Sequence, residues 1–253
     1  MGSISSETPA LRNNPPAIFF TDFDGTITTA DSNDFMTDNL GFGKEKRVGL
    51  NKDVLYGRMA FRDSFQEMLD SVDTPFNECK EILKKNIKLD PGFKDFYAWS
   101  RENNVPIVIL SGGMTPIISM LLDNLLGEGW DIQIVSNDVQ SRDGKDINTK
   151  GGWSIKFHDE TDFGHDKSLE IRKYSGLEGR PTMFYAGDGV SDLSAAKETD
   201  LLFAKADKDL VTWCENEKVP FVTFRDWTSI TQTCKEILDG SLALKDAAKG
   251  RLD

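Results

Sequence analysis

A chain of 253 residues, 38% hydrophobic and 28% charged, can bury one large core or a core that carries an insertion. Its formal net charge of -12 argues against nucleic acid or an anionic membrane as the main partner, and no apolar stretch reaches the length of a membrane span. Three cysteines at wide spacing and two histidines make neither a disulfide framework nor a zinc motif, which suits a reducing, cytoplasmic setting.

Met1 to Pro16 is polar and lacks the apolar core of a signal peptide, so residues 1–15 read as a flexible tail. Ala17 to Phe20 is a continuous apolar run, the pattern of a strand buried on both faces. It runs into Asp22, Asp24, Gly25 and Thr26. Side chains two apart on a strand share a face, so the two carboxylates repel unless something holds them, and a hard divalent cation is the usual answer. The competing reading is a plain Asp-Gly turn.

Helical patterns then fill Asp31 to Leu40, Gly57 to Ser71 and Pro75 to Asn86. Asp31-Ser32-Asn33-Asp34 reads as an N-cap cluster, and Pro75 is placed at a first helical position. Phe61, Phe65, Met68 and Leu69 share one apolar face. About sixty residues of helix before the next strand are too many for an ordinary crossover and point to an insertion.

From Pro91 the chain alternates. A helix ending near Ser100 precedes a strand at Val105 to Leu110, which meets Ser111-Gly112-Gly113. Met114 to Leu126 is helical, with Pro116 tolerated in the first turn, and Ile132 to Val135 is a strand. Signals weaken between Asn137 and Phe163, where Trp153 to Phe157 is a candidate strand. Asp166 to Tyr174 reads as helix, Thr182 to Ala186 as strand into Gly187-Asp188-Gly189, and Ser191 to Glu198 as helix. Leu201 to Ala204, Leu210 to Glu217, Phe221 to Phe224 and Trp227 to Leu238 complete the series, and residues 241–253 form a tail. Alternating strands and helices specify an α/β, doubly wound parallel sheet covered on both faces.

In such a sheet the carboxyl ends of the strands share one edge, where ligands bind. That edge collects Asp22, Asp24, Ser111, Asp188 and Asp192, with Lys167 opening a helix beside them. Four carboxylates crowded together raise one another's pKa, and Mg²⁺ held by carboxylates, water and a substrate phosphate matches this inventory better than zinc or calcium.

The order and spacing resemble the haloacid dehalogenase superfamily of phosphohydrolases. Its four motifs stand here as Asp22-Phe23-Asp24-Gly25-Thr26, Leu110-Ser111-Gly112-Gly113, Lys167, and Gly187-Asp188-Gly189-Val190-Ser191-Asp192. The resemblance implies a Rossmann-like core in which Asp22 is a nucleophile forming an aspartyl-phosphate and Asp24 an acid and base. It implies that Ser111, Gly112 and Lys167 bind phosphate oxygens. Mg²⁺ is then held by Asp22, Asp188 and the backbone carbonyl of Asp24, with Thr26 and Asp192 in support. The helical insertion looks like the small cap of the phosphoserine phosphatase-like branch, which divides the chain into a core of 16–28 and 90–240 and a cap of 29–89. The stretches around Asp31 to Asp34, Gly41 to Arg47, Phe163 to Ser168 and Gly187 to Lys205 look close to the fungal polyol phosphate phosphatases. A phosphatase of methionine salvage shares these motifs.

Beyond the motifs, Asp31 and Asn33 are candidates for pairing with substrate hydroxyls, against helix capping as the alternative. Arg62, with Arg47 and Arg58, is a candidate to reach the mouth of the site, against pairing on its own helix. His165 is as suited to structure as to substrate contact, and Trp153 and Phe42 to packing. Lys44 to Arg47 reads as a solvated face. The expectation is a Mg²⁺-dependent phosphatase of a small polyol or sugar phosphate ester, its oligomeric state open. The alternatives are a phosphoserine or keto-phosphate phosphatase, a phosphomutase, or a sensor that only binds a phosphometabolite.

Overall fold

Strand β1 (Ala17–Thr21) is buried along its whole length because it lies at the centre of the sheet. In the computed structural model, which describes residues 8–248, the further strands are β2 (Ile107–Met114), β3 (Gln133–Ser141), β4 (Trp153–Lys156), β5 (Thr182–Gly187), β6 (Leu201–Lys205) and β7 (Val222–Phe224). Their order is β4-β3-β2-β1-β5-β6-β7, all parallel except β4, which runs antiparallel to β3.

The helices, in chain order, are α1 (Ser32–Leu40), α2 (Lys44–Leu55), α3 (Phe61–Asp70), α4 (Phe76–Asn86), α5 (Phe93–Glu102), α6 (Thr115–Leu126), α7 (Lys167–Ser175), α8 (Leu193–Ala196), α9 (Asp209–Glu217), α10 (Trp227–Leu238) and α11 (Leu244–Ala247). No described helix is long and apolar enough to cross a membrane.

The continuous apolar run of β1 is explained by its two faces. Ala17 and Phe19 enter one core with Phe96 of α5 and Trp227 of α10, Phe19 meeting Phe96 edge-on at 4.7 Å between ring centres. Ile18 and Phe20 enter the other, with Ile171 and Tyr174 of α7 and Leu210 of α9. Aromatic contacts of this kind add about 0.5–1.5 kcal/mol each beyond area burial. The strand order reverses around β1, since β2 and β5 flank it on opposite sides. That reversal opens a crevice at the carboxyl edge.

Helices α1 to α4 all fall between β1 and β2. The chain enters and leaves this insertion side by side. Thr28 and Leu89 form an antiparallel bridge, Thr29 donates to Lys88 (2.9 Å), and Asp90 donates to Ile27 (2.7 Å).

Several local expectations change. A helix, α2, spans Lys44–Leu55; its Lys44, Glu45 and Lys46 form the solvated face expected of them while Arg47 is buried, and α3 starts at Phe61 rather than Gly57. Val48, Leu50, Val54 and Leu55 do not make a helical stripe, and of these only Leu50 is buried. Pro75 is the N-cap of α4, one place before its first turn. β3 runs on to Ser141 and folds back against β4. The tails are not wholly loose. Residues 1–7 and 249–253 lie outside the described part, but Pro9–Leu11 forms a 3-10 turn whose Ala10 and Leu11 pack against the second core. Likewise α11 buries Ala247.

Candidate active site

The register of the sheet brings the strand ends level. Thr21 pairs with Ala186 on one side and with Ile109 on the other, so the residues following β1 and β5 emerge side by side. Asp22 is held there by donating its backbone N–H to Ala186 (2.9 Å). The loop then closes tightly, the carbonyl of Phe23 accepting from Thr26, Ile27 and Thr28. Gly25 sits at φ +76°, and a Cβ there would lie 2.5 Å from Oδ2 of Asp188, so only glycine lets the two acidic loops approach. Thr26 is buried; its carbonyl accepts the indole N–H of Trp227 (2.8 Å), which ties the loop to α10.

Lys167, fully buried at the start of α7, places its ammonium 2.9 Å from Oδ1 of Asp22 and 2.7 Å from Oδ1 of Asp192. Burial alone would lower its pKa, but the two carboxylates outweigh burial and push it up. Asp192 is saturated. Oδ1 also accepts from Tyr185 Oη (2.5 Å), and Oδ2 accepts the N–H groups of Asp188 and Gly189 (2.9 and 3.0 Å). Its role is therefore to orient Lys167 and shape the loop after β5. Tyr185 is a member that sequence reasoning missed; a tyrosine inside a buried strand needs a partner for its hydroxyl, and that was the available signal.

Asp22 is pushed well above the usual carboxylate range, first by burial, with Asp192 and Asp188 adding to it and Lys167 pulling back. Asp188 is pushed up to about 6 by burial and then by Asp192. Carboxylate oxygens of Asp22, Asp188 and Asp192 lie within 4.8 Å of one another. Because Asp192 is already fully engaged, Asp22 and Asp188 are the pair open to a cation. Lys208, at the start of α9, approaches Asp188 to 3.3 Å and was also missed; its place after β6, at the same sheet edge, was the clue.

Asp24 is as buried as Asp22. Its Oδ1 accepts from Ser32 N (2.7 Å) and its Oδ2 from Asn33 Nδ2 (3.0 Å). Burial, reinforced by Asp31, raises it to about 8 against the pull of the Ser32 N–H. Across from it, β2 bulges between Ser111 and Met114. A Cβ at Gly113 would stand 2.9 Å from Oδ2 of Asp24 and 3.2 Å from Oγ of Ser111. Ser111 Oγ accepts from Gly113 N (3.0 Å), which leaves its own proton to donate toward the crevice. The Gly112 carbonyl accepts from the buried Asn137 (2.7 Å), which steadies this turn.

Asp22, Asp24 and Asp188 thus line one crevice of about 410 Å³, walled on the insertion side by Val48, Phe61, Phe65 and Met68, with Lys167 and Asp192 buried behind Asp22 and Ser111 buried beside Gly113, across from Asp24. Asp31 borders it while capping α1, accepting from Asn33 N (2.7 Å) and Asp34 N (2.9 Å). Arg62 is not brought in. Its guanidinium donates to the carbonyl of Asp159 (2.7 Å), pairs with Glu160 (3.0 Å) and stacks over Phe157. Arg47 is taken by Asp34 and Asp38, and Arg58 by Asp53. His165 is buried, its Nε2 set against the carbonyl of Val135 (3.1 Å). A depression of about 500 Å³ at the opposite edge, beside Arg12, Arg101 and Asp131, holds none of the motif residues.

Comparison with known proteins bears on this geometry. The family model described as haloacid dehalogenase-like hydrolase matches residues 19–197. The polyol phosphate phosphatase PYP1 of Saccharomyces cerevisiae is 51% identical over 234 residues, covering 88% of this chain and 95% of its own. Pdp3-interacting factor 1 of Schizosaccharomyces pombe is 49% identical over 226 residues, with 88% and 96% covered. At greater distance, a 2-hydroxy-3-keto-5-methylthiopentenyl-1-phosphate phosphatase of Bacillus cereus is 28% identical over 211 residues, covering 82% of this chain and 92% of its own. Among solved structures, a phospho-aspartyl intermediate analogue of phosphoserine phosphatase superposes with a TM-score of 0.65 at 20% identity, covering 85% of this chain and 97% of that one, a likeness of fold.

Proposed function

The chain belongs to the haloacid dehalogenase-like hydrolase family and is a phosphatase, and from that premise we propose that it hydrolyses small polyol or sugar phosphates through an aspartyl-phosphate on Asp22. The observation that carries the reading is the pairing at the strand end. A buried carboxylate held by Lys167 at 2.9 Å stands beside a second one, Asp24, that burial keeps protonated near neutral pH. The polyol preference is supported by the relative of that name at 51% identity.

Asp22 attacks phosphorus with one carboxylate oxygen while the bond from phosphorus to the ester oxygen breaks. An alkoxide leaves poorly, so Asp24 gives its proton to that oxygen, help worth about 10²–10⁴ in rate. Asp24, now ionised, takes a proton from water as the water attacks phosphorus, which frees inorganic phosphate and restores Asp22. Lys167 and the Ser111 hydroxyl face the charge that gathers on the non-bridging oxygens. Asp22, Asp188 and the backbone carbonyl of Asp24 would hold Mg²⁺; crowded oxygen donors short of positive charge, with no His or Cys among them, fit that ion. When bound, it offsets the repulsion between carboxylate and phosphate and polarises the phosphoryl group. In this reading residues 29–89 act as a cap over the core of 16–28 and 90–240 and select the leaving group.

The test is phosphate release from a panel of esters with Mg²⁺. Polyol and sugar phosphates should exceed phosphoserine in kcat/KM, chelation should stop turnover reversibly, and a folded Asp22→Asn protein should lose about 10³-fold or more. Full activity after exhaustive chelation, or substantial release by Asp22→Asn, would refute the mechanism. Phosphoserine as best substrate would refute the substrate assignment alone, and isomerised ester without free phosphate would indicate a mutase.

A further inference from the structure

Asn33 stands on the first turn of α1, the first helix of the insertion, and its amide donates to Oδ2 of Asp24 at 3.0 Å. The neighbouring Ser32 N–H takes the other oxygen at 2.7 Å. Both holds on the Asp24 carboxyl therefore come from the insertion and neither from the sheet that carries it. Asn33 is itself fixed: its N–H donates to Asp31 Oδ1 (2.7 Å), and its carbonyl accepts from Thr37 Oγ1 (2.9 Å). Its side chain is enclosed, 3% exposed, between Asp24 and the bare backbone of Gly113, where a Cβ would come within 3.6 Å of the Asn33 amide nitrogen. A side chain so enclosed is badly placed to meet the hydroxyls of a substrate tail.

One detail gives the amide a purpose. Oδ1 of Asn33 is buried without a hydrogen-bond partner among the described residues, which costs free energy unless it is used at some stage. An amide donates from one end and accepts at the other. Turned over, Asn33 would accept from a protonated Asp24 with the oxygen that now has no partner. A carboxylate or ammonium at this position would match only one form of its neighbour.

We infer that Asn33 is a positioning residue that aims the Asp24 carboxyl at the leaving oxygen, so that the insertion orients the acid of the reaction. This rests on the phosphatase reading above. In the step concerned the phosphorus–oxygen bond breaks with its electron pair on the leaving oxygen, and the proton passes from Asp24 to that oxygen.

The experiment measures kcat/KM, which reports the first phosphoryl transfer, for butyl phosphate, glycerol 3-phosphate and p-nitrophenyl phosphate. The proteins are wild type, Asn33→Ala and Asn33→Gln, each with Mg²⁺. Nitrophenolate leaves with little need of an acid, whereas both alkoxides need one. Asn33→Ala should cut both alkyl esters by about 10²-fold, the lower end of general-acid help, and the aryl ester by less than about threefold. Asn33→Gln, which keeps the amide, should recover part of the loss. The ratio of alkyl to aryl rates within one preparation does not depend on how much of it is folded. An equal loss on all three esters would make Asn33 merely structural and overturn the inference. So would a loss on glycerol 3-phosphate that spares butyl phosphate, since Asn33 would then be binding hydroxyls. Failure of the wild type to release phosphate from any ester would overturn the phosphatase reading and this inference with it.

Discussion

Lys167 is the residue on which the electrostatics of the site turn, because among the described residues it is the one cation fully buried between Asp22 and Asp192. Removing it strands two carboxylates in the interior, which typically costs about 3–5 kcal/mol. We expect Lys167→Met to be destabilised by about that much at pH 8, with the deficit shrinking toward pH 5. Asp22, already raised by burial, then rises further and is protonated in the native state, so the native state binds more protons as pH falls. Denaturant unfolding at both pH values checks this. His165 behaves in the opposite sense. Burial, with His158 and Lys167 beside it, lowers the ring to about 3. Between pH 6.5 and 3 the unfolded chain takes up a proton that the native chain refuses, so this residue's contribution to stability falls as pH falls. His165→Gln should therefore gain about 2 kcal/mol on wild type between pH 7.5 and pH 5. A constant difference between the two proteins would count against it. The identity of both residues was plain in the sequence, but the partner of His165 was not, since Val135 lies 30 residues before it.

At the scale of elements, α3 shows how a correct helix can carry a wrong role. Its apolar face, Phe65, Met68 and Leu69, is buried as its period requires. Arg62, on the same helix, instead latches the insertion to the 157–162 loop, about a hundred residues on, through carbonyls that no pattern announces. Its own backbone N–H also donates to Asp162 (2.8 Å). Arg62→Ala should thus cost about 1–2 kcal/mol of stability through the lost carbonyl bonds. It should change kcat/KM by a similar factor for polyol phosphates and for a featureless aryl phosphate. A selective loss on polyols, read from steady-state kinetics, would return Arg62 to the substrate site. Helix α2 was hidden for a related reason: its buried contacts are Leu50 and Arg47, the latter paired with Asp34 and Asp38 of α1, and one apolar contact leaves no stripe to read.

For the molecule as a whole, a net charge of -12 sets the long-range field. Self-repulsion of this size weakens as salt shortens the screening length, from roughly 30 Å at 0.01 M to about 8 Å at 0.15 M. Calorimetry across that range should show Tm rising by a few degrees; a fall would mean that the surface ion pairs outweigh the repulsion. The central strand, the alternation of strands and helices from Pro91 to Leu238, and the carboxylates at the strand ends were all determined by the sequence alone. Each depends on local rules: a run apolar on both faces must be covered on both faces, and acidic groups at the carboxyl edge of a parallel sheet must face the crevice. What only the tertiary structure decided is how those groups are held. Asn33 turns to Asp24 and not outward, Asp192 is consumed by Lys167, Tyr185 and two backbone N–H groups, and Arg62 is spent on a distant loop. The physical reason is that a strand end fixes where a side chain starts, whereas its partner is fixed by which distant segment packs close enough to satisfy it in the absence of water.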